Sequence, residues 1–197
     1  MSEQRIFAGV TPASHNNDDG TPICVGTVFR STVDTYVTAV YWYGTDVLPT
    51  NLLAGVYAAL PVDAGKSPLA VATFGPLVSG QFNRGALAAP LHITAAVPYI
   101  AAVHADSGLT GGRYSATPFQ FDVDNLSPDA TLVGISSGSA EGVGLAGNGL
   151  FTESATLALV YPVSSFHNTW YGVDVATDTA PVTTDARRAA LLPFLTP

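Results

Sequence analysis

The chain has 197 residues, of which 47% are hydrophobic and only 11% are charged, and its formal net charge is −8. A chain of this length can bury a substantial core in one domain, and the low charged fraction argues against intrinsic disorder. The seven Lys and Arg residues are not clustered, which argues against binding to nucleic acid or an anionic membrane surface. We find neither a secretion signal at the N-terminus nor a membrane-spanning apolar stretch, so we expect synthesis in the cytoplasm.

Short runs of β-favouring residues, separated by Gly and Pro, dominate the chain. Seven runs predict strands, and in chain order they are Ile23 to Arg30, Tyr36 to Tyr43, Asn51 to Ala59, Leu69 to Phe74, Tyr99 to Ala105, Leu157 to Tyr161 and Trp170 to Ala176. Prolines are expected only between these runs, where they remove no ladder hydrogen bond: Pro49, Pro61, Pro68, Pro76, Pro90 and Pro98. The pattern is typical of an antiparallel β-sandwich, and we predict a jelly-roll-like sandwich domain over residues 1–178.

Two segments depart from the strand pattern. Residues 134–149 contain six glycines and predict a long loop that is a candidate binding edge. The C-terminal tail, residues 179–197, predicts one or two helical turns from Thr184 to Leu192, because Thr184 or Asp185 can cap a helix that Pro193 ends. The tail is expected either to lie on its own sandwich or to reach into a neighbouring subunit.

Two glycine motifs resemble enzyme signatures. Gly134-Ile135-Ser136-Ser137-Gly138 matches a nucleophile elbow, which needs a parallel sheet, a following helix and Asp and His partners; His167 lies downstream, but no helix is predicted. The run from Gly142 to Gly147 matches a dinucleotide-binding fingerprint, which also needs a helix, and Asn148-Gly149 would break one. We therefore expect no enzyme and no cofactor.

No metal site and no reactive thiol are predicted. His15, His92, His104 and His167 are scattered without the spacing of a zinc site. Carboxylates at Asp18-Asp19-Gly20 and Asp122-Val123-Asp124 could supply oxygen ligands to Ca²⁺, but polar positions at strand ends are the favoured interpretation. Cys24 lies in the apolar run Ile23-Cys24-Val25, which predicts a buried small side chain.

The aromatic run Tyr41-Trp42-Tyr43 has two interpretations. Strand alternation places Trp42 on the opposite face from both tyrosines, so one face of the strand is expected in the core. The alternative is an aromatic surface that stacks against a sugar ring or a protein partner. The candidate residues for contact with a partner or a glycan are Trp42, Trp170, Arg187, Arg188, Leu192 and Phe194.

Four segments carry a resemblance to a known family. They are Val25 to Ser31, Val37 to Tyr43, Tyr99 to Ala105 with Gly112-Arg113-Tyr114 after it, and Asn168 to Val175. In this order and spacing, across about residues 5 to 177, the chain resembles bacterial extracellular sandwich modules of unknown function that are attached to surface and carbohydrate-active proteins. The resemblance implies a jelly-roll-like sandwich with a non-catalytic accessory role that includes glycan binding.

The chain differs from such modules because it stands alone, shows no export signal and adds the tail from Thr179 onward. With these differences, the chain resembles a bacteriophage virion component. Virions leave the host by lysis, so their proteins need no export signal. We therefore expect a non-enzymatic structural protein on the virion surface, a capsid decoration or tail-associated protein, that forms homo-oligomers and docks on capsid or tail subunits. A stand-alone carbohydrate-binding module that recognises a cell-surface glycan is the alternative.

Overall fold

The computed structural model describes residues 3–18, 21–59, 67–106, 113–154 and 158–178. These residues form fourteen strands: β1 Gln4–Arg5, β2 Ser14–Asp18, β3 Ile23–Ser31, β4 Thr35–Tyr43, β5 Asn51–Ala58, β6 Ala70–Phe74, β7 Phe82–Ile93, β8 Tyr99–Asp106, β9 Arg113–Ala116, β10 Asn125–Leu126, β11 Leu132–Gly134, β12 Leu150–Glu153, β13 Ser164–Ser165 and β14 Val173–Asp178. A 3-10 turn, Gln120–Asp122, and a short helix α1, Ser137–Glu141, complete the described part. The all-β prediction is confirmed. The predicted tail and its helix lie outside the described residues.

Eight strands form the two layers of an antiparallel β-sandwich. One layer has the order β1-β14-β4-β7 and the other has β6-β5-β8-β3, and the pairing of β6 with β7 joins them along one side. In each layer some neighbouring strands are distant in sequence, such as β14 beside β4 and β8 beside β3, as in the Greek-key connections of jelly rolls. Strand β3 extends its layer by pairing with β12 at its start and with β11 near its end, while β2 and β9 form a separate small sheet.

The core lies between the layers, and a second apolar cluster covers the outer face of β5, β8 and β3. Side chains that alternate along these strands point either into the sandwich or into the cover, so β3 is buried on both faces. The cover contains Leu159, Val160 and Tyr161 together with residues of the glycine-rich segment. It also buries Cys24, whose thiol donates to the Val160 carbonyl at 3.0 Å. Burial raises the pKa of Cys24 to about 12, as expected for an unreactive thiol.

Five of the seven predicted strands are confirmed within one residue, but two predictions are wrong. Residues 158–161, the described part of the run from 157 to 161, form no strand. They pack on the outer face of the sheet as part of the cover, and the Leu159 carbonyl accepts a hydrogen bond from the Tyr57 hydroxyl at 3.2 Å. The last strand begins at Val173, not at Trp170.

The prediction for Pro90 is also wrong, because Pro90 lies inside β7, the longest strand of the described part. Pairing of β7 with β4 shifts between Leu91 and Ala86. Proline has no N–H to donate to a neighbouring strand, and the irregular pairing means that no such hydrogen bond is needed at Pro90.

The glycine-rich segment is more ordered than the predicted loop. Helix α1 interrupts it, and the buried Asn148 side chain holds its end. The Asn148 amide donates to the carbonyls of Ile135 and Val28 and accepts from the Val28 N–H, at 2.6 to 2.7 Å. A fully bonded buried amide of this kind fixes the segment to β3.

Candidate functional site

The two tryptophans predicted to contact a partner are core residues. Trp42 and Trp170 are both 0% exposed. The indole nitrogen of Trp170 donates to the Val173 carbonyl at 2.8 Å, and its ring stacks on Phe7 at 4.0 Å. Neither indole is therefore available as a surface contact, and the core interpretation of Trp42 is confirmed. The other four predicted contact residues, Arg187, Arg188, Leu192 and Phe194, lie outside the described residues.

The structure instead exposes a stack of three rings on two neighbouring loops. We call Phe119, Phe166 and His167 the aromatic stack. The His167 ring lies 3.9 Å from Phe166 and 5.5 Å from Phe119, with interplanar angles of 27° and 19°. The two phenylalanines are 59% and 57% exposed. Large apolar rings are seldom placed together in solvent unless a surface is used for binding.

The backbone at the aromatic stack is left-handed at three residues, a conformation that is rare for phenylalanine and more common for histidine and asparagine. Phe119, His167 and Asn168 have φ values of 61°, 48° and 49°. The loops hold each other in this state: the Phe119 N–H donates to the His167 carbonyl at 2.8 Å, and the Phe121 N–H donates to the Asn168 carbonyl at 3.0 Å. Left-handed residues of this kind cluster at binding and active sites, where the surrounding structure offsets their cost.

A buried aromatic cluster supports the same two loops from below. We give this name to Phe7, Phe121 and Trp170; Phe7 meets Phe121 edge-on at 5.9 Å. Thr117 and Trp170 also exchange two backbone hydrogen bonds, at 2.8 and 3.0 Å. A Cβ added at Gly149 would collide with the Thr169 carbonyl, so the residue before β12 packs directly against the loop that carries Phe166 and His167. The exposed rings therefore rest on a rigid base.

Polar side chains border the aromatic stack. The Asn168 amide donates to Asp122 Oδ1 at 2.7 Å, and Asp122 is exposed. Asp124, two residues further on, accepts the Ser136 N–H at 2.6 Å and lies 3.7 Å from Arg30. The two carboxylates thus have different partners. No group of three or more His, Cys, Asp or Glu side chains that could hold a metal occurs in the part of the chain that the structure describes.

Residues Glu3 to Phe7 form an N-terminal clasp that closes the base of the site. The Arg5 guanidinium lies 4.0 and 4.2 Å from the ring centroids of Tyr41 and Phe82, and its Nε donates to Asp174 at 3.1 Å. The N–H groups of Ile6 and Phe7 also donate to the fully buried Asp174 carboxylate, at 3.2 and 3.1 Å. Burial raises the pKa of Asp174, and Arg5 opposes that rise.

Glu3 anchors the other end of the clasp. It accepts hydrogen bonds from Arg84, Tyr41 and Thr38, at 2.8, 2.7 and 2.8 Å. Burial raises the pKa of Glu3, but these hydrogen bonds outweigh burial and leave that pKa below its ordinary value. Burial and the Glu3 carboxylate together raise the pKa of Tyr41 to about 12.

Ser136 and His167, the two residues considered for catalysis, have different partners in the structure. A short helix does follow Ser136, contrary to expectation, but every strand pair between described residues is antiparallel. The Ser136 hydroxyl bonds the Ser139 hydroxyl at 3.0 Å, whereas the His167 ring belongs to the aromatic stack. The strand-to-helix turn of a parallel sheet, which a nucleophile elbow requires, is not formed here.

Phe119 and Phe166 were not predicted as site residues, and His167 was predicted neither as a metal ligand nor as a catalytic base. A usable signal was present: Phe119 follows Pro118, and Phe166-His167 lies between Ser165 and Asn168, in segments that otherwise predict turns. Aromatic residues in turn segments lack the strand alternation that normally buries them. No sequence pattern, however, indicates that the two segments meet.

Within the described residues, no helix has both the length and the apolar character needed to cross a membrane. In comparison with known proteins, a family model described as a domain of unknown function (DUF4082) matches residues 9–173. The matched stretch contains both loops of the aromatic stack, and the N-terminal clasp precedes it. No curated protein and no solved structure matches the chain. The match agrees with the resemblance to β-rich modules of unknown function.

Proposed function

The chain belongs to the DUF4082 family, a domain of unknown function, and we propose that it is a non-enzymatic module that binds carbohydrate through the aromatic stack. One observation carries this proposal. Two loops hold three stacked rings in solvent, with both phenylalanines more than half exposed. Such an arrangement offers flat apolar faces at a fixed position, which is what a rigid recognition surface needs.

A sugar ring fits this surface for chemical reasons. One face of a pyranose carries C–H groups and packs on an aromatic ring, while its hydroxyls need hydrogen-bond partners at the edge. The outward face of Phe119 or of Phe166 provides the first contact. Asp122 and Asn168, which border the rings, provide the second.

The remaining surfaces of the sandwich support this choice of site. The outer face of β5, β8 and β3 is covered by apolar residues of the same chain. The exposed apolar side chain of β6, Val71 at 57%, is aliphatic and gives no aromatic face for a sugar. Docking on virion subunits, the leading prediction from the sequence, stays a prediction, since four of its six nominated residues lie outside the described part and the other two are buried.

The proposal is tested by affinity electrophoresis and calorimetry against a panel of soluble polysaccharides that includes β-glucan, mannan, xylan and chitosan. Trp42 and Trp170 are buried, so heat or mobility is a better readout than tryptophan fluorescence. We expect the wild type to bind at least one polysaccharide and the Phe119→Ala/Phe166→Ala variant to bind it at least about tenfold more weakly, a loss of about 1.4 kcal/mol.

Val71→Ala is the matched control, because it truncates an equally exposed apolar side chain on another element. It should bind as the wild type does. The proposal fails if the wild type binds none of the polysaccharides, or if the double variant retains wild-type affinity.

A further inference from the structure

The polar border of the aromatic stack carries a charge that selects among sugars. We infer that Asp122, held by Asn168, makes the site prefer amino sugars with a free ammonium group over neutral sugars of the same shape. This inference rests on the carbohydrate-binding function proposed above and adds the chemical class of the preferred ligand.

Asp122 is the one carboxylate in the immediate border of the stack whose described partner is uncharged. Its Oδ1 accepts from the Asn168 amide at 2.7 Å, and the side chain is exposed. An amide partner leaves the negative charge in place, whereas Asp124 lies 3.7 Å from the Arg30 guanidinium. Among the described residues, a ligand that lies on the rings therefore meets a carboxylate with no paired cation.

The position of that carboxylate is fixed by the same backbone that presents the rings. Asp122 ends the 3-10 turn that begins after Phe119, and Asn168 directly follows His167. The hydrogen bond between their side chains thus links the two loops of the stack. This pair therefore lies where the two loops meet.

An ammonium group satisfies both features of the site. It forms a charge-assisted hydrogen bond with a carboxylate, and cations are attracted to the faces of aromatic rings. The net charge of −8 also favours the approach of a cationic polymer and disfavours uronic acids and sulfated sugars. Charge and ring faces together therefore point to one ligand class.

The test compares two oligosaccharides of equal length, a chitosan oligomer with free amines and its N-acetylated chitin counterpart. They differ at C2 of each sugar, where chitosan carries an ammonium group and chitin carries a neutral acetamide. With wild-type protein, at a pH at which the amines are protonated, we expect the chitosan oligomer to bind about fivefold more tightly, the upper range for an exposed ion pair. The preference should shrink at high salt, because exposed charges are screened.

Asp122→Asn removes the charge and keeps an oxygen that can accept from Asn168. In this variant the ratio of the two affinities should fall to about one, while binding of the chitin oligomer is retained. Asp34→Asn is the matched control: Asp34 is also exposed and also accepts one hydrogen bond, from the Ala95 N–H at 2.8 Å. It changes the net charge equally and should keep the fivefold ratio.

The outcomes separate the two proposals. Equal binding of both oligomers by the wild type, or a fivefold ratio that persists in Asp122→Asn, overturns the inference and leaves carbohydrate binding intact. Loss of the ratio in Asp34→Asn also overturns it, since net charge rather than Asp122 would then be responsible. Failure of the wild type to bind any sugar overturns the proposed function itself. Should Asp122→Asn fold poorly, the salt dependence in wild-type protein decides: a ratio unchanged at high salt contradicts the inference.

Discussion

The aromatic stack and two members of the buried aromatic cluster, Phe121 and Trp170, lie on the same two loops but have opposite surroundings. Phe119 is 59% exposed and Phe121, two residues later, is 0% exposed. Likewise Phe166 and His167 are exposed, while Trp170 is buried. Within each loop one ring holds the loop to the sandwich and another is left in solvent. Similar side chains therefore stabilise the fold in one position and remain available for a ligand in the other.

Truncation of the buried cluster should have the largest effect on stability. Trp170→Ala removes the ring that stacks on Phe7 and leaves a cavity, so we expect the free energy of unfolding to fall by about 3–5 kcal/mol. Phe119→Ala, on the exposed side, should change it by no more than about 0.5 kcal/mol. Chemical denaturation of both variants measures the contrast. Equal losses would show that the exposed rings are structural as well.

The ion pair of the N-terminal clasp should come next. Arg5→Met leaves the buried Asp174 carboxylate without its cation, and we expect a loss of about 2–3 kcal/mol, below the full range for buried pairs because Arg5 reaches solvent. The Arg5→Met/Asp174→Asn variant should lose less than the sum of the single changes, since the two groups interact directly. Additive losses in a denaturation cycle would contradict this coupling.

Because the backbone at Phe119 is left-handed, two variants of this residue distinguish an effect on stability from an effect on binding. At φ 61° a side chain beyond glycine is strained, so Phe119→Gly should be more stable than Phe119→Ala by roughly 0.5–1 kcal/mol. Both variants lack the ring and should lose sugar binding equally. Thermal unfolding compares their stabilities and calorimetry their affinities. A less stable glycine variant would show that the strain is absent.

The smallest expected effect concerns Glu3 and depends on pH. Its pKa is lower in the folded chain than the ordinary value of 4.5, so the stabilisation it contributes is complete above that value and is lost as the pH falls through the folded pKa. The difference in unfolding free energy between wild type and Glu3→Gln should be under about 1 kcal/mol at neutral pH. It should vanish in acid. A difference that grows on acidification would contradict a lowered pKa of Glu3 in the folded chain.

Much of the sandwich could be predicted because strand formation depends on local pattern. Runs such as Tyr36 to Tyr43 alternate between faces and end at a glycine, which predicts a strand without reference to the rest of the chain. A local pattern wrongly predicted a strand for the run from 157 to 161, because its described apolar residues cover a sheet instead of joining it. It also missed β7, because the irregular pairing that accommodates Pro90 depends on the partner strand.

At the candidate site, the contrast between locally predictable features and features that depend on tertiary contacts is larger. Short runs of β-favouring residues by themselves predicted an antiparallel all-β sandwich and a buried Cys24, since hydrophobic burial and strand alternation act on short stretches of chain. Only the tertiary structure decided that Trp42 and Trp170 are core residues and that Phe119 meets His167 from a loop 48 positions away along the chain. That meeting depends on backbone hydrogen bonds and on rings packed between distant segments, and no local pattern of residues encodes such contacts.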